Sequence, residues 1–327
     1  MNAQVAPGGQ SFAGVFTPVN RFSKDTRDRI GRVAAQHRGE FVDFGEISPE
    51  RLAQFHSQYA PRLGHLHLLR KAYQELGHHN AVERYEFEYG TSAWENLLLA
   101  VLSVSDGRAN RAELEAAFRE PNYGFWCPLE DRRMFEQIVG PLALSEGRVV
   151  DVGCGFGALL FRIKEMLGLE PAVLFGLDIS APAIQLLNGK GVEGKAETLS
   201  QAHSQGFLGP RVARLVCLSY FVDRDDNQRG TFEAAAAITM PRGKIVVDGL
   251  FPVKPEDSLG TRYDGDSSRS ITRGESAEDD IARIVQFMAT LGCALERICT
   301  GERLVWSMDG FELLSSTYLV FKRGYLN

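Results

Sequence analysis

Apolar positions along this chain change their period near the middle. Between about Phe22 and Leu142 they recur at helical spacing, and no convincing period-two strand interrupts them. Ser23 is placed to cap a helix carrying Ile30, Val33 and Ala34, and Ser48-Pro49 reads as a second helix start. Further helices are expected from Thr91 through Leu97, Leu98, Leu99, Val101 and Leu102 to Asp106-Gly107, then from Arg111 to Phe118 and from Leu129 to Val139. Beyond that point short apolar runs alternate with amphipathic stretches, the rhythm of a doubly wound α/β unit. Strands are expected at Arg148–Val152, at Ala172–Asp178, at the poorly marked Gly191–Ala196, at Arg214–Leu218 and at Lys244–Asp248. Between them, one helix turns Leu159, Leu160, Ile163, Met166 and Leu167 to one face. The next is capped by Ser180, has Pro182 in its first turn and turns Ile184, Leu186 and Leu187 inward. A third carries Phe232 and the Ala234–Ile238 run. Ser276, with Asp279 three residues on, opens a last helix whose stripe is Ile281, Ile284, Val285, Met288 and Leu291. Two late strands, near Leu295–Cys299 and Thr317–Lys322, have room to finish the sheet.

This pattern divides the chain into three parts. Residues 1–20, rich in Gly, Ala, Gln and Pro, read as a loose, flexible tail; residues 21–140 read as an all-helical domain, and residues 141–327 as the α/β domain. Pro252–Asp280 breaks the rhythm with Asp, Ser, Gly and Arg. That length suits a lid or a mobile loop, with Tyr263 its candidate acceptor contact.

Composition narrows the function classes. At 327 residues with 44% apolar and 24% charged positions, the chain has an ordinary soluble composition. Its net charge of −6 demands no nucleic-acid backbone as partner, and no nucleic acid is expected. The five cysteines, Cys127, Cys154, Cys217, Cys293 and Cys299, include no C-x-x-C pair, and core thiols in a reducing cytoplasm are the expected outcome. The first ten residues lack the charged and apolar regions of a signal peptide. No window approaches the ~20 apolar residues that span a bilayer, so no membrane partner is expected and a cytoplasmic location is.

The chemistry concentrates at Val149-Val150-Asp151-Val152-Gly153-Cys154-Gly155-Phe156-Gly157. A strand that ends in a carboxylate and a glycine turn, then feeds a helix, leaves backbone N–H groups pointing outward. Such a turn receives the anionic end of a nucleotide-like ligand. Asp178 closes the next strand, 21 residues after Gly157, where an acid can accept hydrogen bonds from ribose hydroxyls.

At these residues the sequence resembles the class I S-adenosylmethionine-dependent methyltransferases of small-molecule type. The same glycines with Ala158 also satisfy the looser dinucleotide fingerprint. Asp151 two residues before the first glycine, the third glycine at Gly157 and the mid-chain start favour the methyltransferase likeness. It runs from Gly140 to the C-terminus. It implies a Rossmann-like, doubly wound, seven-stranded sheet with the last strand antiparallel, whose site the N-terminal helical domain would cap. It also implies S-adenosyl-L-methionine as cofactor and methyl transfer to a small or medium-sized organic acceptor (an O, N or C nucleophile) in specialised metabolite biosynthesis.

The resemblance implies roles residue by residue. Gly153, Gly155 and Gly157 would face the amino-acid part of the cofactor, Asp151 would organise the turn, Asp178 would hold the ribose and Ile179 would pack on adenine. The third motif departs from the family pattern. Gly194-Lys195-Ala196-Glu197 has lysine where many members have an acid, so the adenine contact falls to Glu197 or to the backbone around Ala196. Strand four ends in Leu218-Ser219-Tyr220-Phe221-Val222-Asp223, where Ser219 would border the cofactor, Tyr220 and Phe221 would shape the acceptor pocket and Asp223 or Asp225 would accept a proton. The plain alternative is core aromatics beside a solvated turn. Asn122-Tyr123-Gly124-Phe125-Trp126 is similar to an aromatic segment found before the glycine motif in many small-molecule methyltransferases. Tyr123 and Trp126 would then close over the methionine end, where ring faces favour a sulfonium, or else they form an interdomain plug.

Six of the seven histidines fall in the helical half, and one of them as general base stays open. His65 and His67 diverge on a helix and no acid completes a set with them or with His78-His79, so no metal site is expected. Two rival readings remain: a peptide or protein methyltransferase, and a protein of this fold that binds the cofactor without methylating. Either leaves room for a homodimer through the helical domain.

Overall fold

A computed structural model describes residues 16–18, 21–59, 68, 101–103, 105, 107, 110–112, 128–142, 147–155, 157–219, 227–249, 269–272, 276–307 and 310–324. Its elements in chain order are β1 (Phe16–Pro18), α1 (Lys24–Gln36), β2 (Glu40–Asp43), α2 (Pro49–Tyr59), α3 (Arg132–Val139), β3 (Arg148–Val152), α4 (Ala158–Leu167), β4 (Leu174–Asp178), α5 (Ala181–Gly189), β5 (Glu193–Ala196), α6 (Leu199–Ser204), β6 (Ala213–Leu218), α7 (Gln228–Ile238), β7 (Thr239–Gly249), α8 (Ala277–Thr290), β8 (Cys293–Ser307) and β9 (Gly310–Arg323).

The strands form one sheet in the order β2-β8-β9-β7-β6-β3-β4-β5, with β1 beside β9. Strands β3 to β7 pair in parallel, and β9 runs antiparallel between β7 and β8. The order reverses between β3 and β6, the switch point at which open α/β sheets bind ligands. Apolar residues cover both faces, as a parallel sheet requires. Val150, Val152, Leu177, Val216 and Val247 pack under α1, α6, α7 and α8 through Ile30, Ala202, Phe232 and Ile284. On the other face Val149, Leu215 and Val246 pack under α3, α4 and α5 through Ile138, Leu160 and Leu187.

The expected caps form where the sequence placed them. Ser23 accepts from the Thr26 N–H, Ser180 from Ala183 and Ser276 from Asp279. The four described cysteines, Cys154, Cys217, Cys293 and Cys299, are buried and form no disulfide among the described residues.

Among the described residues the sheet has nine strands rather than seven. Both additions come from the N-terminal region, which the periodicity assigned to a tail and helices. β9 outgrows β7: β7 pairs with it only over Thr317–Lys322, and β1 takes up the free edge at Phe311–Leu313. An unpaired strand edge leaves open N–H and C=O groups, and three residues of β1 satisfy them. β2 pairs in parallel with Arg297–Thr300 of β8, and α1 packs on α8. The segment through Asp43 thus belongs to the sheet unit, and the helices expected between Thr91 and Phe118 lie almost wholly outside the described residues. No described helix is long and apolar enough to cross a membrane.

Candidate functional site

Three neighbouring strands end at one level, since Val152 is in register with both Leu177 and Leu218. The chain then turns at Gly153 and Gly155, with φ of +74° and +49°, and enters α4 from Gly157 at +87°. These left-handed values favour glycine. The turn is fixed from β4: the Gly153 and Cys154 N–H groups donate to the Leu177 carbonyl at 2.7 and 3.0 Å. The Gly155 N–H donates to Asp178 Oδ2 at 2.8 Å, while Asp178 Oδ1 accepts the Ser180 N–H at 2.8 Å.

The glycines divide their work. A Cβ on Gly155 would meet nothing within 4 Å, so this position borders open space. A Cβ on Gly157 would lie 2.4 Å from Leu187 Cδ1 and 3.0 Å from Phe161 Cε2, so close packing of α4 on α5 accounts for that glycine. No side chain caps α4, which leaves its first-turn N–H groups to a ligand.

A side-chain hydrogen bond to the turn is made by Asp178; Asp151, expected to organise the turn, makes none to it among the described residues. The Asp151 carboxyl is 1% exposed, and neither of its oxygens has a hydrogen-bond donor among the described residues. Burial pushes its pKa up to about 7, Asp178 and Asp248 add repulsion, and the Ser219 hydroxyl opposes the shift. That hydroxyl lies near enough to act on the carboxyl, but falls outside hydrogen-bond geometry and has no other partner. Asp178 is also raised by burial, against the backbone N–H groups of Ser180, Gly155 and Ile179.

Ile179 is 45% exposed, one of two large apolar side chains so placed among the described residues. Ala196 is level with Asp178 on β5, at the same strand ends. Lys195 is turned elsewhere, its Nζ 4.7 Å from the centre of the Phe207 ring. Glu197 follows Ala196 and accepts from Gln205 Nε2 at 3.3 Å. The backbone of Ser219 donates to the Val152 carbonyl at 2.8 Å, tying the ends of β6 and β3. The structure thus gathers Asp151, Gly153, Gly155, Asp178, Ile179, Ala196 and Ser219 along one edge. Tyr123, Trp126, Tyr220, Asp223, Tyr263 and the histidine pairs lie outside the described residues.

The periodicity missed a buried polar group beside this edge. Asp248, near the end of β7, accepts from Arg303 Nη1 at 2.7 Å and from Ser316 Oγ at 2.8 Å. Burial raises its pKa, opposed by Arg303 and Ser316. An acid at the end of an apolar run was visible in sequence; its partners, some 55 and 68 residues away, were not. The segment expected as a lid or a mobile loop is described only at 269–272 and from 276, and its Ile271–Thr272 pair is held by α7. Gln228 accepts from the Ile271 and Thr272 N–H groups at 2.6 and 2.9 Å, and Ile271 is buried. A separate small polar cleft, open to solvent, lies by β2. Its charges pair among themselves as Arg21 with Glu46 and Glu302, and Arg27 with Asp43.

The residues present fit a nucleoside with a cationic amino-acid tail. Gly155 and the α4 N-terminus offer donors and space, Asp178 retains lone pairs for hydroxyls, Ile179 offers an apolar face, and Asp151 is a buried acceptor without a partner.

The chain is similar to a SAM-dependent methyltransferase from Methanosarcina mazei at 13% identity and a TM-score of 0.42, over 57% of this chain and 96% of that one. It is similar to a structure concerned with converting a disulfide bond into a thioacetal group during echinomycin biosynthesis, at 18% and 0.43 over 56% and 79%. A third is an S-adenosylmethionine-dependent methyltransferase from Mesorhizobium loti, at 16% and 0.38 over 59% and 95%. No family model and no curated protein matches the chain. At identities this low, what the site can do follows from its own geometry.

Proposed function

We propose that the chain binds S-adenosyl-L-methionine at the β3–β4 edge and transfers its methyl group to a small or medium-sized organic acceptor, in specialised metabolism. The observation that carries this reading is the joined pair of loops: a glycine turn with open space at Gly155, clamped by Asp178 from the neighbouring strand. When bound, the cofactor supplies an electrophilic methyl on a sulfonium, and in-line attack by the acceptor needs alignment and exclusion of water more than acid catalysis.

The chain's residues divide that task. Gly153, Gly155 and the first turn of α4 hold the carboxylate of the methionine end. Asp178 accepts from the ribose hydroxyls, Ile179 packs on the adenine, and Ala196 and Glu197 border its edge. Ser219 and Asp151 lie beneath the methionine end. Tyr220 shapes the acceptor pocket, Asp223 takes a proton where the nucleophile carries one, and Tyr123 and Trp126 close over the sulfonium. The acidic net charge supports an acceptor other than nucleic acid.

Calorimetry with S-adenosylmethionine, S-adenosylhomocysteine, NADH and FAD tests the cofactor, and mass spectrometry of methylated products from a metabolite panel tests the acceptor. Micromolar binding of the two S-adenosyl compounds and one methylated metabolite is expected. Binding of NADH or FAD in their place would overturn the reading. A methylated peptide with no methylated metabolite would move the acceptor to the protein class.

A further inference from the structure

Two buried ionic groups on β7 are neutralised by partners on β8. Lys244 Nζ contacts Glu296 at 2.8 Å and the Val139 carbonyl that ends α3. Asp248 holds Arg303 and Ser316. Asp151 differs from both. It is as buried as these, yet both its oxygens are unpaired. The groups around it make matters worse. Asp178 from β4 and Asp248 from β7 repel its charge, and the Arg303 guanidinium from β8 is already engaged by Asp248. The thiol of Cys154 in the glycine turn is itself held protonated by burial. Ser219 from β6 is neutral, and α4, packed over β3, brings Leu159, Leu160 and Ile163. An uncompensated buried carboxylate is costly, and it neutralises by keeping its proton.

We infer that Asp151 makes this site select its ligand by charge, giving up a proton to solvent when a cationic ligand enters. The inference rests on the cofactor reading above. S-adenosylmethionine carries an ammonium, a sulfonium and a carboxylate, one net positive charge; its demethylated product has lost the sulfonium and is neutral overall. A cation entering beside Asp151 stabilises the carboxylate. The O–H bond of Asp151 breaks, its proton passes to the buffer, and the ligand's charge replaces it. The product stabilises the carboxylate less, so the proton returns more readily and the product leaves more easily. Asp151 is in this sense a specificity residue.

The test is calorimetry of the full-length protein with S-adenosylmethionine and with S-adenosylhomocysteine, in buffers of different ionisation enthalpy at pH 6, 7 and 8. With half-titration near pH 7, the cofactor should release about half a proton there and bind about tenfold more weakly at pH 6 than at pH 8. The product should release less. In Asp151→Asn the part of the buffer dependence and of the pH dependence that exceeds titration of the ligand's own amine should disappear, since that amine is common to both proteins and cancels in the comparison. Infrared difference spectra of the wild type give a readout that needs no variant, namely loss of a protonated-carboxyl band on binding. Binding with no proton released and no such band, or an Asn variant with unchanged pH dependence, would overturn the inference while leaving the cofactor reading intact. Failure of either compound to bind at any pH would instead remove the cofactor reading, and the inference with it.

Discussion

Asp178 Oδ2 accepts the Gly155 N–H at 2.8 Å, so the acid that ends the second parallel strand also shapes the turn that follows the first. A ligand's ribose and its amino-acid end are therefore gripped by one coupled structure. Asp178→Ala should weaken S-adenosylmethionine and S-adenosylhomocysteine alike, because it removes a charged acceptor and loosens the turn. A loss of roughly 1.5–3 kcal/mol, about tenfold to a hundredfold in affinity, is expected for hydrogen bonds to a charged group. Calorimetric titration of both compounds measures it, and unchanged affinity for either would remove Asp178 from the site.

Gly155 and Gly157 should respond to alanine differently. At Gly157 the new Cβ would meet Leu187 Cδ1 at 2.4 Å with φ at +87°, in a packed helix contact. A loss of about 2 kcal/mol or more in urea unfolding is expected from overpacking and strain together. At Gly155 the Cβ points into open space, so stability should fall by only about 1 kcal/mol, from the left-handed backbone. The larger effect there should be on ligand affinity. Equal effects of the two substitutions on unfolding would contradict this division.

How far the sequence revealed the fold depended on whether hydrophobic burial alone positioned an element. β3, β4, β6 and β7 are apolar runs buried on both faces and were readable, as were the acids that end β3 and β4. β5 was faint because Gly194 sits tight against Leu187 and Ile184, and Lys195 turns to Phe207. β2 was missed because two exposed and two half-buried residues at a sheet edge carry little pattern; its place is set by pairing with Arg297–Thr300, far along the chain. The late strands were expected to be short, whereas β8 and β9 run to Ser307 and from Gly310. Their buried positions include Glu302, Arg303, Ser315, Ser316 and Thr317, which read as surface until partners such as Asp248, Arg21 and the Phe22 N–H are known. At the site, the glycine turn and Asp178 were legible because local chemistry dictates them. That Asp178 rather than Asp151 secures the turn was not, because it depends on register between two strands.

The Asp248–Arg303 pair should behave as a buried ion pair does. Arg303→Met leaves the Asp248 carboxyl buried with Ser316 alone, and a loss of about 3–5 kcal/mol in urea unfolding is expected. Replacing both partners, as Asp248→Leu with Arg303→Met, removes the uncompensated charge and should recover much of that loss. A double-variant cycle measures the coupling. Additive losses would show that the two residues act independently.

Asp151 should make the folded protein less stable as pH rises. Its pKa is raised from an ordinary 3.8 to about 7 in the fold. Below about pH 4 the carboxyl is protonated in folded and unfolded chains alike, and it adds no pH dependence. Between about pH 4 and pH 7 the unfolded chain loses this proton while the folded one keeps it, so the residue's contribution falls steadily through that window and is flat above it. The accumulated difference is on the order of a few kcal/mol, since each pKa unit corresponds to about 1.4 kcal/mol. Asp151→Asn has nearly the same shape and no proton to lose. Its unfolding free energy should therefore exceed that of the wild type by a margin that grows from pH 5 to about pH 7 and levels off toward pH 8, measured in urea without ligand. Carboxylates with lowered pKa elsewhere contribute equally to both proteins and cancel in the difference. A difference that is constant across that range would mean that Asp151 is ionised in the folded chain throughout.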